Sequence, residues 1–387
     1  MPRPAALSQA GILTAATYAA LFAALGAHLP FWPLWLEKWG LTATEIGTFT
    51  AAGMIVRVLA GLGVPALADK LGQRRLVLAG VAGFGVVAFA VHGLLADRAV
   101  LLIATLGTGV VFAGLIPIAD ALGTAAAREG GFAYAQVRSM GSLAFVLTNL
   151  ACGWLIGQMG VVVAQWWIVI CLALTVWLAI VHPGGGKVRD AEPARLADVG
   201  RMLIRREFMA FIGAIGLAQS SHAVLYAYGS LHWAALGVSE EVIGGLWAFA
   251  VAVEVVLMLV FGAALIRILG PVGAIALSAV AGIVRWGAMA FDPSGASLWL
   301  LQALHAFTFA AGHLGGIAFI AAAVPERLAA SAQGMFSSAI GGILVALAMA
   351  GAAVVYPVAG GGTYWIAFAM SCGGLILAGV LHKVWRR

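Results

Sequence analysis

The run AVAVEVVLMLV at residues 250–260 decides the class of this protein, because ten of its eleven residues are apolar. It lies within an apolar stretch that we place at about 240–266, which is long enough for a helix that crosses a bilayer. The single carboxylate in the run, Glu254, is costly there, since a charged acid at the centre of a membrane helix costs roughly 2.5–3.5 kcal/mol on insertion scales. A residue retained at that cost is a candidate for function.

The rest of the chain has the same apolar character. Its 387 residues are 63% hydrophobic and 9% charged, whereas a soluble domain carries about 25% charged residues. The apolar runs are continuous rather than alternating, which predicts an all-α membrane protein. At about 20 residues per helix, we predict twelve spans. Their predicted limits are 11–36, 45–68, 75–95, 99–125, 134–157, 161–181, 208–233, 240–266, 271–290, 297–323, 329–356 and 363–383.

The basic residues predict how the chain crosses the membrane. With both termini in the cytoplasm, 17 of the 21 Lys and Arg residues face the cytoplasm, two face outward, and two, Arg57 and Arg285, lie within spans. Such an asymmetry is typical of a bacterial cytoplasmic membrane protein with this orientation. The orientation also accounts for the basic balance of the chain, so we predict contact with the lipid bilayer and no nucleic-acid partner.

The spans divide into two halves that resemble each other. We predict an N-terminal six-helix bundle at 1–181, a cytoplasmic linker loop at 182–207 and a C-terminal six-helix bundle at 208–387, because the linker is long, polar and rich in Gly and Pro. Gly-Leu-Thr at 40–42 aligns with Gly-Val-Ser at 237–239 at an offset of 197, which places Arg57 opposite Glu254. Internal repeats of this kind are common in transporters, whose substrate site lies between the halves.

The loop between spans 2 and 3 carries a recognisable motif, DKLGQRR at 69–75. It resembles the signature loop of the major facilitator superfamily, although Pro65 replaces the leading Gly of that signature. The resemblance implies charge pairs that help to close the inner side. In span 4, Asp120 is expected to neutralise Arg57 or Arg138 within the N-terminal half. We therefore assign conformational gating to Asp69, Lys70, Gly72, Arg74, Asp120 and Arg138.

Four ionisable residues of the C-terminal half share one layer of the membrane. At 1.5 Å per residue, Glu254 lies ~18 Å from the inner face, Arg285 ~21 Å, His313 ~15 Å and His222 ~21 Å. Glu254 and Arg285 form either a static pair or a pair that opens when a proton arrives. A fixed buried pair seldom repays its desolvation, so we assign proton coupling to Glu254, Arg285 and His313. His305 lies nearer the outer face and has a weaker predicted role.

The predicted substrate site combines cationic and aromatic side chains. The guanidinium groups can anchor an anion, and the deeper tyrosines can line a cavity, although Trp and Tyr also gather at membrane interfaces. No metal-ligand spacing and no cofactor motif is present, and the three cysteines are expected to be small buried thiols. The predicted substrate-binding residues are Arg57, Arg285, Tyr226, Tyr228, Trp35, His222 and Trp247.

Longer stretches of the sequence resemble one particular group within the superfamily. The chain resembles the phenylpropionate permease group of the major facilitator superfamily, which is similar to oligosaccharide:proton symporters such as lactose permease. That resemblance implies two pseudo-symmetric six-helix bundles, alternating access, and proton-coupled uptake of 3-phenylpropionate or a related aromatic acid by a monomer. The stretches that carry it are LPFWPLWLEKWGLT (29–42), PIADAL (117–122), YAQVRSMGSLAFV (134–146), SSHAVLYAYGSLHW (220–233), IGGLWAFAVAVEV (243–255) and IVRWGAM (283–289).

The site also departs from the lactose-permease pattern. Such sites keep a Glu on span 8, an Arg on span 9 and a His on span 10, which Glu254, Arg285 and His313 match by span. Span 10 has no carboxylate after His313, so proton carriage would fall on Glu254 or elsewhere. A sugar or nucleoside symporter and a drug:proton antiporter are the nearest alternatives. A membrane enzyme would need a catalytic motif that the sequence lacks, and a receptor or scaffold would not need intramembrane charges.

Overall fold

The structure, a computed structural model, describes residues 8–95, 97–185 and 196–385. Part of the predicted linker at 182–207 therefore lies outside the described residues. The same is true of six basic residues used for the orientation: Arg3, Lys187, Arg189, Arg195, Arg386 and Arg387.

The N-terminal half forms six long helices where the sequence predicts six spans. Each contains an apolar run of membrane-spanning length, and their ends carry local stop and start signals. The Asp97 carboxylate accepts a hydrogen bond from the Val100 N–H at 3.0 Å and caps the fourth helix, as expected for Asp before a first turn. Gly131 ends that helix with φ of 64°. Spans 1 to 6 are Gln9–Lys38, Ala43–Leu71, Arg74–His92, Arg98–Gly130, Tyr134–Met159 and Val162–Val181.

The C-terminal half supplies six more apolar segments. Among the described residues, ten helical stretches are long and apolar enough to cross a membrane. Two of the ten are long enough to contain two spans each. Gly270, with φ of 66° and ψ of 176°, breaks the 50-residue stretch before Pro271, and Gly360, with φ of 53°, breaks the 42-residue stretch. Span 7 is Arg206–Ala235, spans 8 and 9 share Glu240–Met289, span 10 is Ala296–Ala323, and spans 11 and 12 share Ile343–Val384. The predicted all-α, twelve-span fold is confirmed.

One predicted span differs from the structure in its interior. The segment predicted at 329–356 is divided into the helices Glu326–Gly341 and Ile343–Ala359. Gly342 leaves the helical conformation between them, with φ of −113° and ψ of −132°. Adjacent glycines have low helix propensity and are a common site of helix kinks, which explains the division. A short helix, Leu196–Leu203, precedes span 7.

Three spans of the C-terminal half contain one turn of π-helix. These turns are Leu225–Gly229 in span 7, Leu257–Phe261 in span 8 and Ala306–Ala311 in span 10. They follow closely after His222, Glu254 and His305. Single π-helical turns within α-helices are frequent at functional sites. Their placement therefore makes this part of the molecule a candidate functional region.

The described residues group into two compact units. Unit 1 lies within Met1–Leu41, Ile55–Arg189 and Gly237–Ala248, and unit 2 lies within Thr42–Met54, Asp190–Leu236 and Phe249–Arg387. Each unit takes most of its residues from one predicted half of the chain and a short piece from the other. The predicted boundaries of the two bundles and the linker stay a prediction.

Candidate functional site

Among the described charged residues of unit 2, Arg285 of span 9 is the most buried. Its side chain is 0% exposed, and its guanidinium lies 4.5 Å above the ring of Trp286. Its Nη1 donates to Thr308 Oγ1 at 3.0 Å and to His305 Nδ1 at 3.1 Å, and its Nη2 donates to Gln302 Oε1 at 2.5 Å. The three acceptors are thus a hydroxyl, an amide oxygen and an imidazole nitrogen, and none of them is a carboxylate. The Nε–H of Arg285 has no acceptor among the described residues.

His305 joins Arg285 to Glu254. Its Nε2 lies 3.1 Å from Glu254 Oε2. Arginine can only donate, so His305 Nδ1 must accept from Arg285 and the ring proton must lie on Nε2, which donates to the carboxylate. A doubly protonated ring would direct an N–H group against the guanidinium. The arrangement is compatible with an anionic Glu254, a neutral His305 and a cationic Arg285.

This bridge differs from the direct Glu254–Arg285 contact that the sequence suggests. Counted along a straight helix, the Cα atom of His305 lies nearer the outer face than that of His313. For that reason the sequence predicts only a weak role for His305. Glu and Arg have long side chains, so the depth of the Cα atom is a poor guide to the depth of the charged group. Both side chains reach the ring of His305, and span 10 contributes this histidine as well as His313.

His313 is also connected to Glu254. The two groups interact electrostatically, and the Nδ1 atom of His313 is buried with no hydrogen-bond partner among the described residues. The rings of His305 and Phe309 stack with centroids 5.4 Å apart, and those of Phe309 and His313 stack at 6.1 Å. The three rings form a column along span 10, which we call the His–Phe–His column.

His222 of span 7 also contacts this network, through Thr308. It is fully buried, its Nδ1 lies 2.9 Å from the Gln219 carbonyl and its Nε2 lies 3.1 Å from Thr308 Oγ1. The carbonyl requires a donor, so Nδ1 carries the proton and Nε2 accepts from the Thr308 hydroxyl. Tyr226 stacks on His222 at 5.8 Å and interacts electrostatically with Arg285. His222 thus orients Thr308, and Tyr226 lies beside the guanidinium.

Two aromatic residues predicted to bind substrate, Tyr228 and Trp35, pack against neighbouring helices. The Tyr228 hydroxyl donates to the Ala43 carbonyl at 2.8 Å, and its ring stacks on Tyr356 at 4.2 Å. The Trp35 ring stacks on neighbouring indoles, and its N–H donates to Gln165 Oε1 at 3.1 Å. Both residues are fully buried. Contact of either with substrate stays a prediction.

The remaining predicted substrate residues, Arg57 and Trp247, belong to unit 1. Arg57 is partly exposed and interacts electrostatically with His28. His28 packs against aromatic rings, with centroids 4.6 Å from Phe112 and 5.8 Å from Trp32. Trp247 is buried. Unit 1 therefore places a cation next to a group of aromatic rings.

The signature loop contains an ion pair between two of its own residues, and its role in conformational gating stays a prediction. Arg74 pairs with Asp69, with Nη2 and Nε at 2.6 and 2.8 Å from Oδ1. Gly72 has φ of 65°, a left-handed conformation that favours glycine. Lys70 is exposed. Next to the loop, Arg75 Nη1 donates to the His182 carbonyl at 3.1 Å, which connects the loop to the end of span 6.

Asp120 pairs with Arg138, one of the two partners expected for it. The Arg138 Nε lies 3.3 Å from Asp120 Oδ1, and the same oxygen accepts from the hydroxyls of Tyr18 at 2.8 Å and Tyr134 at 2.9 Å. The pair thereby joins spans 1, 4 and 5. In the part of the chain that the structure describes, no group of three His, Cys, Asp or Glu residues is arranged to hold a metal ion.

Comparison with known proteins agrees with this architecture. Residues 12–365 match the MFS_1 like family. The probable 3-phenylpropionic acid transporter of Escherichia coli (strain K12) is 29% identical over 356 residues, which cover 90% of this chain and 92% of the relative. The crystal structure of the D323A mutant of the nucleoside transporter NupG has a similar fold, with a TM-score of 0.82, 16% identity and coverage of 98% of this chain and 100% of that one.

A second solved structure has a similar fold at lower identity. It is a bacterial homologue of the human lysosomal transporter Spinster, in an inward-facing and unoccupied conformation. The TM-score is 0.68 at 13% identity, and the match covers 97% of this chain and 94% of that one. The chain is an integral membrane transporter rather than an enzyme, and it belongs to the MFS_1 like family of the major facilitator superfamily.

Proposed function

We propose that this transporter imports a small aromatic carboxylate, of the class of 3-phenylpropionate, together with a proton and by alternating access. In this proposal both termini lie in the cytoplasm, as the basic residues predict, and the chain resides in a bacterial cytoplasmic membrane. Every group that the cycle uses comes from one chain, so a monomer suffices. The printed name of the Escherichia coli relative supports the substrate class.

The proposal rests mainly on the observation that no carboxylate accepts a hydrogen bond from Arg285 among the described residues. Its described hydrogen-bond acceptors are neutral, and the negative charge of Glu254 reaches it through His305. When Glu254 takes up a proton, Arg285 loses that compensating charge while it remains buried. An uncompensated buried charge is strongly unfavourable. A substrate carboxylate restores the balance, so uptake of a proton and binding of an anion favour each other.

The geometry also indicates how the anion would be bound. The Nε–H of Arg285 has no acceptor among the described residues, and buried donors rarely lack one. A carboxylate can accept from Nε and from one Nη together, in the two-pronged arrangement that guanidinium groups favour. Tyr226, which lies beside Arg285 and is partly exposed, would then flank the aromatic ring.

The transport cycle follows from these charges. On the outer side, Glu254 takes up a proton and Arg285 binds the substrate carboxylate. The loaded carrier has the same net charge in this region as the empty carrier, since a neutral acid and a carboxylate have replaced one carboxylate. On the inner side, loss of the proton restores Glu254 as an anion, which competes for Arg285 and releases the substrate.

Counterflow tests the substrate class. Proteoliposomes loaded with unlabelled 3-phenylpropionate should accumulate the labelled compound transiently, and empty liposomes correct for the protonated acid that crosses lipid unaided. Competition by aromatic acids, and not by sugars, nucleosides or apolar cations, is the expected result. Competition by sugars or nucleosides alone would replace the proposal with the corresponding symporter, and preference for apolar cations would indicate a drug:proton antiporter.

Glu254→Gln tests the proton coupling. We expect this variant to lose accumulation driven by a pH gradient and to keep counterflow, because exchange needs no net deprotonation. Glu241→Gln is the matched control, since Glu241 lies on the same span and is exposed. Normal accumulation by the Glu254→Gln variant would show that the proton is carried elsewhere.

A further inference from the structure

We infer that Gln219 of span 7 and Ser278 of span 9 are positioning residues, which stabilise the π-helical turn Ala306–Ala311 of span 10. By fixing this turn, they orient His305, which directly precedes it, toward Arg285. The effect on transport rests on the proposed function, whereas the positioning itself can be measured without substrate.

The carbonyl groups of the π-helical turn are bound by side chains of two neighbouring spans. The Ser278 hydroxyl donates to the Thr308 carbonyl at 2.7 Å, and Gln219 Nε2 donates to the Phe309 carbonyl at 2.9 Å. Both donors are buried, with exposures of 1% and 3%. Where a π-helical turn returns to the α-helical register, the backbone hydrogen bonds change their spacing. Within a membrane, donors from neighbouring helices satisfy the carbonyls that such a change affects, and these two side chains are such donors.

Gly312 provides the space for both side chains. It is helical, with φ of −61°, and its N–H donates to the Phe309 carbonyl three residues earlier, whereas an α-helix uses the residue four earlier. A Cβ atom on Gly312 would lie 2.3 Å from Gln219 Nε2 and 2.7 Å from Ser278 Oγ, so one of these groups would have to move. Glycine within a helix costs roughly 0.5–1 kcal/mol relative to alanine. Its presence at this position therefore fits a requirement for close approach.

Thr308, within the turn, is held at both its carbonyl and its hydroxyl. Ser278 and Arg285 lie about two turns apart on one face of span 9, and they bind the carbonyl at 2.7 Å and the hydroxyl at 3.0 Å. From span 7, His222 binds the same hydroxyl at 3.1 Å, and its other ring nitrogen binds the backbone carbonyl of Gln219 at 2.9 Å. Spans 7 and 9 thus each contact the turn at two points.

The conformation of the turn decides where His305 points. If the turn relaxed into a continuous α-helix, the part of span 10 before it would rotate by about 100° and shift by about 1.5 Å relative to the part after it. The His305 ring contacts Arg285 and Glu254, each at 3.1 Å. A rotation of that size would separate the ring from these partners. The charge of Glu254 would then no longer reach Arg285 through the histidine.

Three substitutions remove the proposed support of the turn. Ser278→Ala and Gln219→Leu each remove one donor, and Gly312→Ala displaces both donors. Ser278→Thr keeps the hydroxyl and should behave like the wild type. These four variants are made in the full-length protein.

Two matched controls lie elsewhere in unit 2. Ser371→Ala removes a buried hydroxyl that donates to the Ala367 carbonyl of its own helix at 3.0 Å. Gly351→Ala adds a methyl group to a helical glycine with open space around it. Neither change touches the π-helical turn, so both controls should give the results of the wild type.

The first measurement is ¹⁵N NMR of the histidine-labelled protein without substrate, with the His305 signals assigned by their loss in His305→Asn. The wild type should show one tautomer of His305, with the proton on Nε2, because Nδ1 accepts from Arg285. In the three variants that remove the support, the ring should exchange between both tautomers. A wild-type tautomer in Ser278→Ala and Gly312→Ala would overturn the inference, whatever the carrier transports.

The second measurement is the affinity for 3-phenylpropionate as a function of pH. When one proton is linked to binding, affinity falls about tenfold per pH unit over the range in which the empty carrier has lost that proton. The wild type should show this slope, and the three variants should bind but lose it. A role in folding alone would lower the unfolding temperature and leave the slope unchanged, which also overturns the inference.

The two measurements separate the possible failures. A wild type without the slope would contradict the proposed function, while the NMR signals would still decide the positioning. Ser278→Ala is the mildest change, so its spectrum decides the question if the larger changes prevent folding. Failure of Ser278→Ala itself to fold, with Ser371→Ala folded, would assign the contact to folding and overturn the inference.

Discussion

The Nε2 atom of His305 lies 3.1 Å from a carboxylate oxygen of Glu254. Because the other nitrogen of the same ring accepts from Arg285, the histidine transmits the state of the carboxylate to a buried cation. The contact explains why an acid is retained within the apolar run at 250–260. In the proposed function, its charge stabilises Arg285 when no substrate is bound, and its neutralisation prepares Arg285 for an anion.

Arg285→Lys should impair transport although it preserves the charge. Lysine cannot match the planar fork that binds three acceptors on span 10, and a lost charge-assisted hydrogen bond costs about 1.5–3 kcal/mol. We expect the half-saturating substrate concentration in counterflow to rise roughly 10–100-fold on that basis. Arg267→Lys, at an exposed position, should behave like the wild type. Equal affinity in the Arg285→Lys variant would remove this residue from the substrate site.

His305→Leu and His305→Gln should differ in stability. Leucine leaves Glu254 and Arg285 buried without their bridge, and breaking a buried ion network costs about 3–5 kcal/mol. Glutamine can accept from Arg285 with its oxygen and donate to Glu254 with its amide, so a smaller loss is expected. Thermal unfolding in detergent should therefore rank wild type, then Gln, then Leu. A leucine variant as stable as the wild type would contradict the bridge.

Gly72→Ala should destabilise the signature loop. The residue has φ of 65°, and an L-residue in that conformation costs roughly 1–2 kcal/mol. Gly80→Ala is the comparison, since Gly80 lies in the helix Arg74–His92 with open space around it, and alanine there should stabilise the helix by about 1 kcal/mol. Opposite shifts in the unfolding temperature are expected. Shifts of the same sign would mean that the loop has another conformation.

His182 should make stability depend on pH at the end of span 6. Burial lowers the pKa of His182 from 6.5 to about 4, and the residue is 1% exposed. Between these values the unfolded chain binds the proton and the folded chain does not, so stability falls as the pH is lowered from 6.5 toward 4. The full loss is about 3 kcal/mol at 1.36 kcal/mol per pKa unit.

His182→Asn isolates that dependence. The asparagine oxygen can replace the Nδ1 atom, which accepts from the Gly184 N–H at 3.0 Å, but it does not titrate. The variant should lose part of the acid destabilisation seen in the unfolding temperature of the wild type. An identical pH profile for both proteins would show that His182 is not the group responsible.

Much of the architecture could be predicted from the sequence because its signals are local. Apolar run length gives the twelve spans, and an offset of 197 reveals the repeat. Glu254 and Arg285 stand out because ionised residues are rare in such runs. The sequence does not predict the break at Gly342, because a Gly pair within an apolar run is compatible with either a continuous or a divided helix.

The bridge at His305 could not be predicted in the same way. Its contact depends on the reach of two long side chains from neighbouring spans, and a straight-helix depth describes only the backbone. The three π-helical turns have no sequence signature of their own, and they alter the register that such depths assume. For Trp35 and Tyr228, the sequence identifies aromatic residues in spans but not which face is enclosed by neighbouring helices.

The central claim is that binding an aromatic carboxylate and protonating Glu254 are one linked event. It is tested most directly by adding saturating 3-phenylpropionate, already ionised, to the purified protein in unbuffered detergent solution with a pH indicator. The account predicts that the wild type takes up protons and raises the pH, and that Glu254→Gln binds the compound without a pH change. Equal proton uptake by both proteins, or binding by the wild type with none, would contradict the account.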